Sequence, residues 1–202
     1  MTRGAGVRAM AAAGLLFVVA CGSGSPDDAR DTTPLVLSVP VIELSALTEF
    51  VAFGAENVGV PAGGSALVPA WELRTEDRSL TVHAACGGEV VAVFDNPRER
   101  DAEIHIEPAP GSVYLLILDH VRERRVGVGD RVVAGDVLGR IGWRGDSQGR
   151  TELQVNRDDE HGSVALCPRA FGTPSFNEQH EQARAAATSS SPTLCMVETV
   201  SP

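Results

Sequence analysis

Between Val126 and Val155 the chain reads VGVGDRVVAGDVLGRIGWRGDSQGRTELQV. Two turn signals stand close together here, Gly127-Val128-Gly129-Asp130 and Ala134-Gly135-Asp136. Glycine takes positive φ at no steric cost, and aspartate bonds to the backbone of its own turn. Val126, Val128, Val132, Val137, Leu138 and Ile141 supply short apolar faces around these turns. Runs this short suit tight hairpins, and the segment predicts a small folded-over β-sheet instead of a helix.

The rest of the chain extends that pattern. Ala102–Glu107 alternates, with Ile104 and Ile106 facing a core and Glu103, His105 and Glu107 facing out. Val113–Leu118 is an unbroken apolar strand. Residues 35–43 read as a strand that Pro40 ends or places at an edge. Residues 44–53 read as a short helix capped by Ser45, or as a continuation into loop. Leu80–Ala85 and Glu89–Phe94 read as a hairpin turning at Cys86-Gly87-Gly88, and Asn177–Ala187 has helical composition.

The spacing V-x-x-G-D-x-V-x-x-G-D-x-L-G resembles two families, the lipoyl and biotinyl carrier domains and the LytM (M23) zinc peptidase domain. A carrier needs a lysine to acylate, and all 17 basic residues here are arginine. Periplasmic adaptor proteins flank the same motif with a helical hairpin, and nothing here could form one. The LytM resemblance reaches further. Thr81–Val91 (TVHAACGGEVV) is similar to that family's first strand pair, and Tyr114–Val121 (YLLILDHV) to its Y-x-H-L strand. The resemblance covers Thr81–Val155 and implies a mainly β fold: a small antiparallel β-barrel or sandwich with short peripheral helices.

The same resemblance locates a site and finds it degenerate. Active relatives hold zinc through H-x(3)-D before the first strand and the last His of H-x-H on the final strand. Here no His stands between Val68 and Leu80, and the H-x-H strand aligns with Arg150, Thr151 and Glu152. Only His120 matches a catalytic position. A catalytic zinc needs about three protein ligands and an open position. Arg150 would also place a fixed cation beside any metal. The degenerate site is therefore His120, Arg150 and Glu152, with no metal and no cofactor expected. A surface salt bridge among Arg150, Glu152 and Asp119 is the plain structural alternative.

The first 20 residues read as a signal segment, with Arg3 and Arg8 ahead of a short apolar run. Val18-Val19-Ala20-Cys21 matches a bacterial lipobox, which makes Cys21 the expected lipidation site and the membrane anchor. Residues 21–34 are small, polar and acidic, as a flexible tether would be. Residues 35–200 are one domain's length, with a motif core at 81–155 and a C-terminal extension at 156–202. Loss of the signal segment removes two of the 17 basic residues and none of the 27 acidic ones, leaving a net charge of −12. That excludes nucleic acid as an expected partner.

Three thiols remain beyond Cys21. Cys167 and Cys195 flank a polar helical stretch outside the barrel motif, and an exported compartment permits their disulfide. Cys86 lies among Ala and Gly in an expected strand and reads as a buried thiol. The function expected is a non-catalytic envelope lipoprotein that binds or regulates, with peptidoglycan or an envelope protein as partner. The degenerate groove would bind it, and Arg150 would grip a carboxylate. The competing reading is a zinc endopeptidase with an unusual ligand set, drawing on Glu152 with Glu72, His83, His105 or Cys86. A structural envelope protein without a ligand is the third.

Overall fold

The computed structural model describes residues 30–57, 66–145, 147–160 and 162–201. Its strands run β1 (Leu47–Val51), β2 (Trp71–Thr75), β3 (Thr81–His83), β4 (Gly88–Asn96), β5 (Asp101–Glu107) and β6 (Tyr114–Arg122). They continue with β7 (Arg131–Val132), β8 (Val137–Arg144), β9 (Gln148–Asp159), β10 (Gly162–Leu166), β11 (Ser189–Ser190) and β12 (Thr199–Val200). One helix, α1 (Pro174–Ala186), and two short 3-10 turns complete the set. All strands join one open sheet in the order β11-β1-β2-β9-β8-β6-β5-β4-β7, with β3 on β8 and with β10 joining β9 to β12. The sheet is mixed, because β11 lies parallel to β1 while the other strand pairs are antiparallel.

The mainly β expectation holds, and so does its turn chemistry. Asp130 Oδ2 accepts from Gly127 N and Asp136 Oδ2 from Val133 N, each at 2.8 Å. Gly129 and Gly135 sit at φ of 92° and 95°, where a side chain would be strained. Val132, Leu138 and Ile141 are buried as expected, but Val128 is 67 % exposed at a turn tip. On β5, Ala102, Ile104 and Ile106 are buried while Glu103, His105 and Glu107 are half-exposed. The core gathers Trp71, Phe50 and Phe53 with Leu73, Leu116, Leu118, Leu153 and Val155.

The C-terminal extension closes one side of this core. Thr173 caps α1 by accepting from Phe176 N, with Pro174 at the first helical position. Phe176 and His180 then pack on Trp71, with ring centroids at 6.0 and 5.0 Å. Burial lowers the His180 pKa to about 4, so it sits neutral in the core. The Cys167–Cys195 disulfide is formed, and Cys86 is free and buried. Cys86 lies at a bend and not within a strand.

Three local expectations are corrected. Residues 35–43 form no strand, because their backbone bonds scatter to several elements: Leu37 N to Phe171, Ser38 N to Ala85, and Val41 O from His83. Leu44–Ala46 is a 3-10 turn whose cap is Glu43, accepting from Ser45 N, and the chain then extends into β1. The expected hairpin between residues 80–85 and 89–94 does not exist. β3 pairs with β8 and β4 pairs with β5 and β7. A Cβ on Gly88 would lie 2.3 Å from Glu107 O, so glycine there admits β5 and starts a different pairing.

Candidate functional site

Neighbouring strands bring one row of carboxylates into register. Asp119 on β6 stands opposite Glu152 on β9, and Glu152 stands opposite Glu72 on β2. Two residues along, Arg150 stands opposite Arg74. Like charges directly across a sheet repel. Alternation puts Glu72 with Arg74, and Arg150 with Glu152, on common faces of their strands, so opposite charges can answer one another.

They do so in two knots. Arg74 holds Glu72 with two hydrogen bonds, Nε to Oε1 at 2.9 Å and Nη2 to Oε2 at 2.8 Å, and Nη1 donates to Glu49. Arg150 Nη2 donates to Glu99 Oε2 at 2.6 Å, while its Nη1 lies 3.8 Å from Glu72 Oε1. The Arg150 side chain is only 19 % exposed and its Nε is buried with no acceptor. The expected surface bridge among Arg150, Glu152 and Asp119 is therefore replaced. Arg150 is held by Glu99 and Glu72, and Glu152 and Asp119 turn to His120.

His120 is the second centre. Its backbone adopts φ 59°, and Asp119 Oδ1 accepts from its N at 2.6 Å. The imidazole Nδ1 lies 2.8 Å from Asp101 Oδ2, and Nε2 lies 3.4 and 3.5 Å from Asp119 and Glu152. Gly142 makes the room: a Cβ there would meet His120 Cβ at 2.6 Å. Burial opposes charge on this ring, but Glu152 and Asp119 outweigh both burial and Arg150, and the pKa rises to about 9. Asp119 itself is pushed up by burial and by Glu152 and Glu103, against the pull of His120.

The three degenerate positions thus come together, and a cleft of about 660 Å³ opens beside them. Glu72, Arg74, Arg150 and Glu152 line it together with Ser189, Ser190 and Ser191. His120 stands behind this lining. The other ligand candidates are engaged elsewhere. His83 bonds Gly135 O and Thr81 Oγ1, and His105 bonds Glu103 at 2.5 Å on the outer face of β5. Burial pushes the Cys86 thiol up to about 12.

Zinc, which the LytM resemblance implies, fits these donors poorly. Two groups among the described residues converge within 4.8 Å, Asp119/His120/Glu152 and Glu99/Asp101/His120, and both depend on the same imidazole. Each group offers a single imidazole and two carboxylates, with no thiolate and no second histidine. Glu99, in one of the two groups, is already committed to the Arg150 guanidinium. Glu99, Asp101 and Arg74 were invisible as site members in the sequence, because no spacing signal links them to His120. The E-x-R alternation at Glu72 and Arg74 was the one available hint.

No family model matches this sequence and no curated protein matches it. Solved structures do. The LytM-like domain of SpoIIQ, in the SpoIIQ–SpoIIIAH pore-forming complex, aligns with a TM-score of 0.51 at 16 % identity, over 69 % of this chain and 92 % of that one. The fold is LytM-like. Lysostaphin from Staphylococcus simulans aligns at TM-score 0.48 and 20 % identity, over 59 % of this chain. The match spans 47 % of that lysostaphin chain and 87 % of its catalytic domain, so it is to a part of that protein. The catalytic domain of the prophage-encoded M23 protein EnpA from Enterococcus faecalis, as its A109H mutant, aligns at TM-score 0.46 and 19 % identity, over 61 % of this chain and 92 % of that one. The shared architecture is that of the LytM domain, and the side chains in its cleft are this chain's own.

Proposed function

We propose that this LytM-like domain is a non-catalytic binding or regulatory module of the bacterial cell envelope, acting on wall peptide or on a wall-processing partner. The observation that supports this most is the lining of the cleft by guanidinium groups. Arg74 holds Glu72, and Arg150 holds Glu99, one of the acids of the Glu99/Asp101/His120 group. The cleft itself stays open, with Arg144, Glu56 and three serines on its walls. Because Arg150 is already held by Glu99, the ligand meets the cleft as a whole and is not gripped by that one residue. We also propose that the chain is exported and held to the membrane through Cys21, which lies outside the described residues. Cys21→Ser is then expected to abolish palmitate labelling.

The test is metal analysis of protein purified without chelator, together with assays on purified sacculi. The proposal expects no stoichiometric zinc, no turnover of a cross-linked muropeptide, and saturable binding to sacculi or to a purified wall hydrolase. The Asp119/His120/Glu152 convergence favours one rival, a zinc endopeptidase with a non-standard ligand set. One equivalent of zinc, with turnover lost in His120→Ala, would establish that rival instead.

A further inference from the structure

In a chain of net charge −10, several arginines gather near the ends of β6 and β8. Arg122 ends β6, Arg140 and Trp143 lie on β8, and Arg78 comes from the turn after β2. Arg122 Cζ lies 3.3 Å and Arg78 Cζ 3.9 Å from the Trp143 ring centroid. Two guanidinium groups so close to one centroid cannot share a face, so they sandwich the indole. Arg140 stands directly opposite Arg122 in the strand pairing, a like-charge juxtaposition that costs stability.

Acidic compensation at Arg122 and Arg140 is thin, although Arg140 Nη1 donates to Ser79 O at 2.8 Å. Glu123 is the acid paired with both arginines: its carboxylate lies 3.1 Å from Arg140 Nε but 4.0 Å from Arg122 Nη2. That carboxylate is 61 % exposed, so its attraction is screened. Arg122 is only 16 % exposed, its Nε is buried without an acceptor, and no side chain among the described residues accepts a hydrogen bond from it. A guanidinium desolvated to this degree and short of acceptors is costly, and an incoming oxyanion would reduce the cost.

We propose that Arg122, stacked on Trp143, and Arg140, opposite it in the strand pairing, form a binding site for a phosphate group. Two guanidinium forks on adjacent strands suit a tetrahedral oxyanion, which has oxygens for both, whereas a carboxylate is satisfied by one fork. The phosphate comes either from a soluble phosphate ester or from a lipid headgroup. Neither arginine lines the cleft described above, so this site stands or falls independently of it.

The test uses the full chain carrying Cys21→Ser, which removes any acyl anchor. Tryptophan emission is followed as inorganic phosphate, glycerol phosphate or acetate is added at constant ionic strength. Trp143 reports on the patch, because Trp71, the other tryptophan, is fully buried. A saturable change with phosphate or glycerol phosphate is expected, little change with acetate, and about tenfold weaker binding in Arg140→Gln. Arg140 is 40 % exposed, so that variant is expected to fold, and unchanged circular dichroism verifies it. Arg122→Gln is the second variant. Sedimentation with phosphatidylcholine vesicles, with and without phosphatidylglycerol, separates the sources. Vesicle binding without a response to soluble phosphate assigns the headgroup, and the converse assigns the soluble ester. No saturable response in either arm, an equal response to acetate, or unchanged binding in both variants would overturn the proposal.

Discussion

His120 ties stability to pH in a direction that can be worked out beforehand. Its pKa is raised from 6.5 to about 9 by Glu152 and Asp119, against burial and Arg150. A base whose folded pKa is raised stabilises the fold fully below its unfolded pKa and loses that contribution as pH climbs through the folded value. Between about pH 6.5 and 9 the folded chain should hold one more proton than the unfolded chain, so stability falls by about 1.4 kcal/mol per pH unit, or about 3 kcal/mol in all. His180 and Cys86 work outside this window. The lowered pKa of His180, about 4, costs stability only as pH falls below 6.5. The Cys86 thiol, raised from 9.0 to about 12, costs stability only at higher pH, as the unfolded thiol ionises first. Urea unfolding followed by fluorescence at steps across the window measures the slope, and His120→Gln should flatten it. An imidazole titrating near its unfolded value by NMR, or a slope that survives His120→Gln, would refute the reasoning.

Replacing Cys167 and Cys195 by serine opens a closure with a sequence separation of 28. It should cost about 3–4 kcal/mol and lower the calorimetric midpoint by roughly 10 °C. Arg150→Ala, harmless if that side chain were the exposed one its sequence suggested, should instead cost about 1–3 kcal/mol in denaturant, because Glu72 and Glu99 lose a half-buried partner. Gly142→Ala sets a Cβ 2.7 Å from His120 O. It should destabilise the fold by about 1–3 kcal/mol in urea titrations and shift the His120 ring resonances.

Much of this architecture was legible residue by residue. The Asp130 and Asp136 turns, the alternation across Ile104 and Ile106, and the run Val113–Leu118 all rest on short-range chemistry that the chain carries wherever it folds, whereas the Cys167–Cys195 pair, 28 residues apart, was legible from the few thiols available. The three positions His120, Arg150 and Glu152 were named from motif order, and the sheet does bring them together. Partner choice was not legible. The pattern at Thr81–His83 says strand, but only the assembled sheet puts it against β8 and not β4. The environment of Arg150 was hidden for the same reason. Glu99 and Glu72 reach it from 51 and 78 positions away in the chain, and no local periodicity records such a meeting. Local sequence determines what each segment can be, because propensity and turn chemistry act over a few residues. Which charges neutralise one another, and hence what a cleft can hold, is decided only when strand pairing fixes distances between residues far apart in the chain.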